Sequence, residues 1–241
     1  MNLSVIIPVL NERDCLPATL SYLAEANLTD DILVVDGGSG DGTREWLNRQ
    51  SIARVIDAER GRGAQLNAGA QVTTGEALLF LHADCLPPPG AHNLIADALA
   101  DDRLAGGCFE VSFAERRPQS LNVIAAGINA RTRLTRTATG DQGIFVRRSV
   151  YERAGRLATW PLFEDVDFVS RLKRHGRFVV LPAAVTISAR RWLQNGVWRT
   201  TFLMYALRAG FYVGLSPFTL KDWFEDVRDL RQPGDHLTND I

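Results

Sequence analysis

Three separated acidic positions carry the first suggestion of chemistry. Asp36 follows Val34-Val35 and precedes Gly37-Gly38-Ser39-Gly40, so a carboxylate stands at a strand end beside glycines that admit close backbone approach. Such an aspartate can accept hydrogen bonds from a base or a ribose. A plain strand-end turn is the competing reading, because Asp and Gly dominate turns. Asp84 ends His82-Ala83-Asp84 after the five apolar residues Ala77 to Leu81. A carboxylate there suits Mg²⁺ or Mn²⁺, which favour oxygen ligands and retain waters and substrate phosphates. The prolines at 87–89 keep a simple turn in contention. Phe163-Glu164-Asp165-Val166-Asp167 opens a helical pattern whose inward positions are Phe168, Val169 and Leu172. Acids stabilise helix N-termini, and one placed there can also act as general base toward an attacking hydroxyl. Arg60 and Arg62 flank Gly61 before a helix and can pair with phosphates or form a solvated loop. Asn67 either hydrogen-bonds a nucleotide or caps a local turn.

Strands alternating with helices must position these groups. Leu3 to Leu10 is a continuous apolar run, too uniform for a half-exposed strand, and Leu16, Leu20 and Leu23 follow at helical spacing. The pattern predicts strands at Ile32 to Val35, Ala53 to Ile56 and Ala77 to Leu81, with helices over Thr43 to Asn48 and residues 64–72. A helix carrying Leu94 and Ala98, a strand from Gly107 to Phe113 and a helix from Gln119 to Thr137 come next. Strands at Gly143 to Val146 and Phe178 to Leu181 bracket a helix over Val166 to Leu172, and one or two aromatic-rich helices run from Arg190 to about Val213. The polar tail from Arg231 is expected to fray. This alternation predicts a mostly parallel sheet that binds ligands at the carboxyl ends of its strands, where Asp36 and Asp84 both fall.

Composition narrows the function. The net charge is −1 and no Lys/Arg block stands out, which argues against a nucleic-acid partner. Cys15, Cys85 and Cys108 are odd in number and widely spaced, as expected of reduced thiols in a cytoplasmic protein rather than a disulfide framework or zinc site. The start of the chain has no secretory pattern, and Arg199 and Arg208 interrupt its longest apolar stretch, making it a poor membrane span. Gly61-Arg62-Gly63 lacks a third glycine, the first strand is not followed by Gly-x-Gly, and no Walker A lysine motif occurs, so dinucleotide and P-loop sites are excluded.

Five motifs in order over about residues 3–192 carry a resemblance: Pro-Val-Leu-Asn-Glu after strand one, Asp with Gly-Ser after strand two, Gly-Arg-Gly opening a helix, a strand ending in x-x-Asp, and a later Glu-Asp. The sequence resembles the family-2 glycosyltransferases. That likeness implies a three-layer α/β/α fold of the GT-A type with a mostly parallel central sheet and a C-terminal helical extension. It implies one domain over residues 1–241, with a nucleotide-binding half at 1–100, an acceptor-side half at 101–190 and the extension at 191–241.

The resemblance puts the nucleotide sugar on Pro8, Val9, Asn11, Glu12, Asp36 and Ser39, with Arg62, Asn67 and Ala83 completing that set. It gives Asp84 to Mn²⁺ or Mg²⁺ and the catalytic base to Asp165. Acceptor-side positions are Asp141, Gln142, Glu164, Arg191 and Trp192. His82 replaces the family's first acid of Asp-x-Asp; a satisfied histidine is the expectation, with a supporting or ligating role as the alternative. Gln65-Leu66-Asn67 lacks the family's arginine. Arg191-Trp192 resembles the end of a Gln-x-x-Arg-Trp motif, but Ser188 occupies the glutamine position, which argues against processive synthesis. Gly-Asp-Gln, His-Ala-Asp and Ala-Arg-Arg-Trp together look like a group of small stand-alone bacterial transferases, some associated with arsenosugar biosynthesis.

The implied reaction is inverting, metal-dependent, non-processive transfer of a sugar from a UDP- or GDP-sugar donor to a hydroxyl of a small or lipid-linked acceptor. A nucleotidyltransferase of related fold is one alternative, although Asn11-Glu12 stands where its Gly-rich basic loop would be. A catalytically silent binding module is the other. Aromatics from Trp192 to Trp223 are read as packing on the core or on a second copy in a homodimer, with peripheral contact at the inner face of a membrane as the other option.

Overall fold

Side-chain alternation along the first strand decides the layers. In β1 (Leu3–Val9) every residue is buried. Leu3, Val5, Ile7 and Val9 pack into a cluster with Leu16, Leu20 and Leu23 of α1 (Leu16–Glu25), Ile95 of α4 (Ala91–Leu99), and Leu121 and Ile124 of α5 (Gln119–Thr135). Ile6 faces the other way, into a cluster with Leu66 and Ala70 of α3 (Arg62–Val72), Tyr151 of α6 (Arg148–Ala154) and Phe168 and Leu172 of α7 (Glu164–Leu172). A strand covered on both faces needs no polar alternation, which accounts for its continuous apolar run. The result is a three-layer α/β/α sandwich.

The computed structural model describes residues 1–29, 31–114 and 118–229. Its sheet contains β1, β2 (Asp31–Asp36), β3 (Arg54–Asp57), β4 (Ala77–Phe80), β5 (Cys85–Leu86), β6 (Leu104–Phe113), β7 (Ile144–Arg147) and β8 (Arg177–Ile187), in the order β3-β2-β1-β4-β7-β6-β8-β5. β1 to β4 run parallel; β7 is antiparallel to both β4 and β6, β8 parallels β6, and β5 reverses again. Only β7 and β5 thus oppose the common direction, and the sheet is mostly parallel.

This topology gathers loops at one edge. The carboxyl ends of β1, β2, β4, β6 and β8 lie there, and so does the start of the reversed β7. A 3₁₀ turn (Gly140–Gln142) immediately precedes β7. The helix α7 leads into β8 and runs against it, so its N-terminus, Glu164-Asp165, returns to the same edge. After β8 come α8 (Arg190–Asn195), α9 (Val197–Tyr212) and α10 (Pro217–Asp229), beside a short α2 (Thr43–Leu47) near the chain start.

Four elements depart from the sequence-based expectation. β8 continues six residues past Leu181 because Pro182 sits in a bulge that the strand accommodates: Phe109 pairs with Leu181 but Glu110 with Ala184. The two-residue β5 and the seven-residue α6 are too short to show a periodicity, and the expected helical region ends near Val213, before α10. The tail from Arg231 lies outside the described residues.

Candidate active site

The loops after β1 and β2 are stitched together by the residues expected to hold a nucleotide. Asn11 adopts a left-handed conformation (φ 57°). Its N–H donates to Ser39 Oγ at 2.9 Å, and its Oδ1 accepts from Gly40 N–H at 2.8 Å. The N–H of Glu12 donates to Thr43 Oγ1 at 3.1 Å. Asp36 is almost fully buried, and its carboxylate accepts from the N–H groups of Gly38 and Ser39 and from the Ser39 hydroxyl. It therefore rigidifies the glycine loop. Gln65, which no motif singles out, donates from its Nε2 to the carbonyls of both Val9 and Val35 at 2.8 Å, clamping the ends of β1 and β2. Pro8 and Val9 are buried in β1, and the carbonyl of Ala83 accepts from Thr19 Oγ1 at 2.6 Å.

A cavity of about 780 Å³ opens beside these loops. Glu12, Arg62, Asp84, Asp141, Glu164 and Asp165 line one part of it. Asp165 Oδ2 accepts from Gly140 N–H at 2.6 Å and Oδ1 from Val166 N–H at 2.7 Å. Two backbone donors thus fix the carboxylate while lone pairs remain for a substrate. The preceding Phe163 is left-handed (φ 64°), a strained state for a bulky residue, and its ring stacks on Phe211 at 4.8 Å.

Gly140 also matters for approach. A Cβ there would lie 2.5 Å from His82 Nε2, so only glycine lets the 3₁₀ turn close on the histidine. His82, Asp84 and Cys85 each offer a donor atom within 4.8 Å of the others. Burial, then Arg62, pulls His82 down to about 4, so its imidazole is neutral at pH 7, while burial holds the Cys85 thiol protonated far above its ordinary range. Arg62 forms an ion pair with Glu164 at 3.2 Å. Burial drives the Glu164 carboxyl up to about 7, against the pull of Arg62.

The far wall comes from α5, α8 and α9. Arg131, Arg190, Arg191, Trp192, Thr200 and Arg208 line it. Arg190 reaches across to Glu12 at 3.2 Å, joining α8 to the loop after β1. Trp192 packs edge-on against Phe113, ring centroids 5.2 Å apart.

Of the residues singled out from sequence, Glu12, Arg62, Asp84, Asp141, Glu164, Asp165, Arg191 and Trp192 therefore meet at one cavity. Asp36, Ser39, Asn11, Pro8, Val9 and Ala83 are not among its lining residues. Asn67 is turned inward: its amide donates to Leu157 O and accepts from Leu157 N–H and Tyr151 Oη, each at 2.9 Å. Gln142 is fully buried, accepting from Thr139 N–H at 3.1 Å and donating to Phe109 O at 3.2 Å. Both hold loops together. The sequence did not single out Arg131 and Thr200 as lining, because their helices carry no motif; Arg208 it noted only as an interruption of an apolar run.

Residues 4–154, more than half of the chain, match the family model of Glycosyl transferase family 2. The chain belongs to that family. Glycosyltransferase AglE of Haloferax volcanii is 38% identical over 94 residues, covering 35% of this chain and 31% of AglE. The undecaprenyl-phosphate 4-deoxy-4-formamido-L-arabinose transferase of Salmonella choleraesuis is 27% identical over 203 residues, 78% of this chain and 56% of that protein. This family-2 chain thus spans about a third to just over half the length of these relatives. Among solved structures, the mannosyltransferase PcManGT from Pyrobaculum calidifontis, in complex with GDP-Man and Mn²⁺, matches with a TM-score of 0.65 at 21% identity, over 90% of this chain and 66% of that one. The likeness extends the GT-A fold to this chain.

Proposed function

We propose that this family-2 chain transfers a sugar from a nucleoside diphosphate donor to an acceptor hydroxyl, with inversion, and releases the product after one transfer. The observation that carries this reading is the convergence of Asp84 and Asp165, 81 positions apart in sequence, on one cavity at the carboxyl edge of the sheet. The donor's base and ribose fit the glycine loop held by Asp36, and its diphosphate fits toward Arg62 and Asp84.

The residues present suit a divalent ion. Asp84 supplies a carboxylate and His82 a neutral imidazole, while Asp141 keeps a buried Oδ1 without a hydrogen-bond partner. With the Cys85 thiol protonated, oxygen and imidazole donors remain, the set that Mn²⁺ accepts and, with waters, Mg²⁺. Bound there, the ion would offset the charge of a leaving nucleoside diphosphate. The mannosyltransferase and other structural neighbours that hold GDP-Man or UDP-GlcNAc support a GDP- or UDP-sugar as donor.

Asp165 takes the acceptor hydroxyl's proton as its oxygen bonds to the anomeric carbon, and the anomeric C–O bond breaks toward the diphosphate. Attack from the face opposite the leaving group inverts that carbon. The backbone N–H groups of Gly140 and Val166 aim the carboxylate, so little reorganisation is needed on protonation. Ser188 accepts from Arg190 N–H at 3.2 Å and serves α8 rather than a polymer, in keeping with single transfers.

Exposed aromatics on α9 and α10, among them Trp198, Phe202, Phe218 and Trp223, support peripheral contact with a membrane carrying the acceptor. Among the described residues no helix is long and apolar enough to cross one. Co-sedimentation with anionic vesicles tests that contact, and light scattering at the same concentrations tells it from pairing of two copies.

The decisive experiment is incubation with a panel of UDP- and GDP-sugars and Mn²⁺, and in parallel with UTP or GTP, a sugar 1-phosphate and the same ion. Release of nucleoside diphosphate supports transfer. Pyrophosphate release from nucleoside triphosphate would assign nucleotidyl transfer instead, and donor binding without turnover would make the chain a silent binding module.

A further inference from the structure

Resting on the transferase reading above, the structure points to an acceptor that carries an anionic group, a phosphate ester above all. We propose that Arg131 and Arg208 grip that group where α5 and α9 line the cavity.

Buried polar atoms without a hydrogen-bond partner are segregated by type around this cavity. On the wall formed by α5, α8 and α9 they are Arg131 Nε, Trp192 Nε1, Thr200 Oγ1 and both Nε and Nη2 of Arg208. Every one can donate. On the 3₁₀ turn and at the start of α7 they are Asp141 Oδ1 and Glu164 Oε2, both acceptors. Arg208 is 7% exposed and Thr200 4%, so water does not replace the missing partners freely. A buried guanidinium without a carboxylate is costly unless something anionic satisfies it. Burial, and then the neighbouring Arg208, lowers the proton affinity of Arg131, so the two cations lie close together. Two packed arginines repel, and a bound phosphate with several acceptor oxygens removes the repulsion while meeting the idle donors.

The charges that face this pair have other engagements. Glu12 pairs with Arg190 and Glu164 with Arg62. Asp165 is held by two backbone donors on the other side. Asp141 attracts Arg131 through space, yet its own Oδ1 has no hydrogen-bond partner. A donor diphosphate directed toward Arg62 and Asp84 leaves Arg131 and Arg208 for a second anion.

Calorimetry on the full chain, saturated with the nucleoside diphosphate released in the donor panel, tests the assignment. The probes are 1-octanoyl-glycerol 3-phosphate and glucose 6-phosphate, each with a free hydroxyl beside its phosphate, and their uncharged parents 1-octanoyl-glycerol and glucose. We expect at least one phosphate ester to bind about 10-fold or more tightly than its parent alcohol. Arg208→Gln should abolish that preference with nucleotide affinity unchanged within about 2-fold. Arg131→Gln, at a partly exposed position, provides the same test should the buried substitution impair folding. Preference for 1-octanoyl-glycerol 3-phosphate alone identifies a lipid phosphate, and for glucose 6-phosphate alone a soluble phosphate ester. Equal binding of esters and alcohols, binding of none of them, or a parallel loss of nucleotide affinity in the variants would overturn the proposal. A wild-type protein that binds no nucleotide at all would instead refute the transferase reading.

Discussion

Replacing Glu164 by Gln should expose a pH dependence of stability that the native protein hides. Glu164 is 3% exposed, and burial raises its carboxyl from 4.5 to about 7, with Arg62 opposing and Asp165 adding to the rise. Folding thus binds a proton here: the stabilising contribution is complete below 4.5 and lost as pH rises through about 7. His82 is displaced in the opposite sense, from 6.5 to about 4, by burial and then by Arg62. Its contribution is present above 6.5 and lost as pH falls through about 4. At about 1.4 kcal/mol per pH unit, each displacement amounts to roughly 3 kcal/mol. In the window they share the two slopes cancel, so the wild type should be nearly flat. In Glu164→Gln only the His82 slope survives, and stability should climb by roughly 3 kcal/mol as pH rises from about 4 to 6.5. His82→Gln should show the mirror image, falling by a similar amount between 4.5 and about 7. Urea titrations followed by tryptophan fluorescence, in buffer containing EDTA, measure both. Profiles of Glu164→Gln and wild type that run parallel would refute the opposed pair.

Asp165→Asn should slow transfer by about 10²- to 10⁴-fold while donor affinity holds; near-normal turnover with a competent acceptor would remove the base assignment. Asp84→Ala should weaken donor binding in Mn²⁺ but change it little in EDTA, as calorimetry under the two conditions can tell. Asn67→Ala strips partners from Leu157 and the Tyr151 hydroxyl and should cost roughly 3 kcal/mol of stability, at about 1–3 kcal/mol per buried group left unpaired. The folded fraction should bind nucleotide normally; lost affinity at unchanged stability would return Asn67 to the ligand set.

Strand positions were legible because a strand covered on both faces must be apolar throughout, and β1, β2 and β4 obey that rule. Asp84 and Asp165 were legible for a different reason. Each terminates a recognisable hydrophobic pattern, and a mostly parallel sheet sends strand ends and helix starts to one edge. Side-chain engagement was not legible. Nothing in Gln65-Leu66-Asn67 indicates that Gln65 clamps two strands or that Asn67 turns away from the cavity, since both outcomes depend on partners at Val35 and Leu157, remote in sequence. β8 was cut short for a similar reason, because a bulge that accommodates Pro182 is specified by its register with β6 rather than by local residues.

The span of the family match has a chemical consequence. Residues 4–154 include Asp36, Arg62 and Asp84, the groups suited to a nucleoside diphosphate, but end before Glu164, Asp165 and the α8–α9 wall. On the proposed reading the matched part holds the groups that meet the leaving diphosphate, and Arg131 of α5 as well. The proposed base Asp165 and the α8–α9 lining follow it in the chain. Acceptor choice should then follow α5, α8 and α9 more than the sheet edge. Exchanging those helices between family members should move acceptor preference while leaving the donor nucleotide unchanged. A chimera that instead switches donor would show that the far wall also reads the nucleotide sugar.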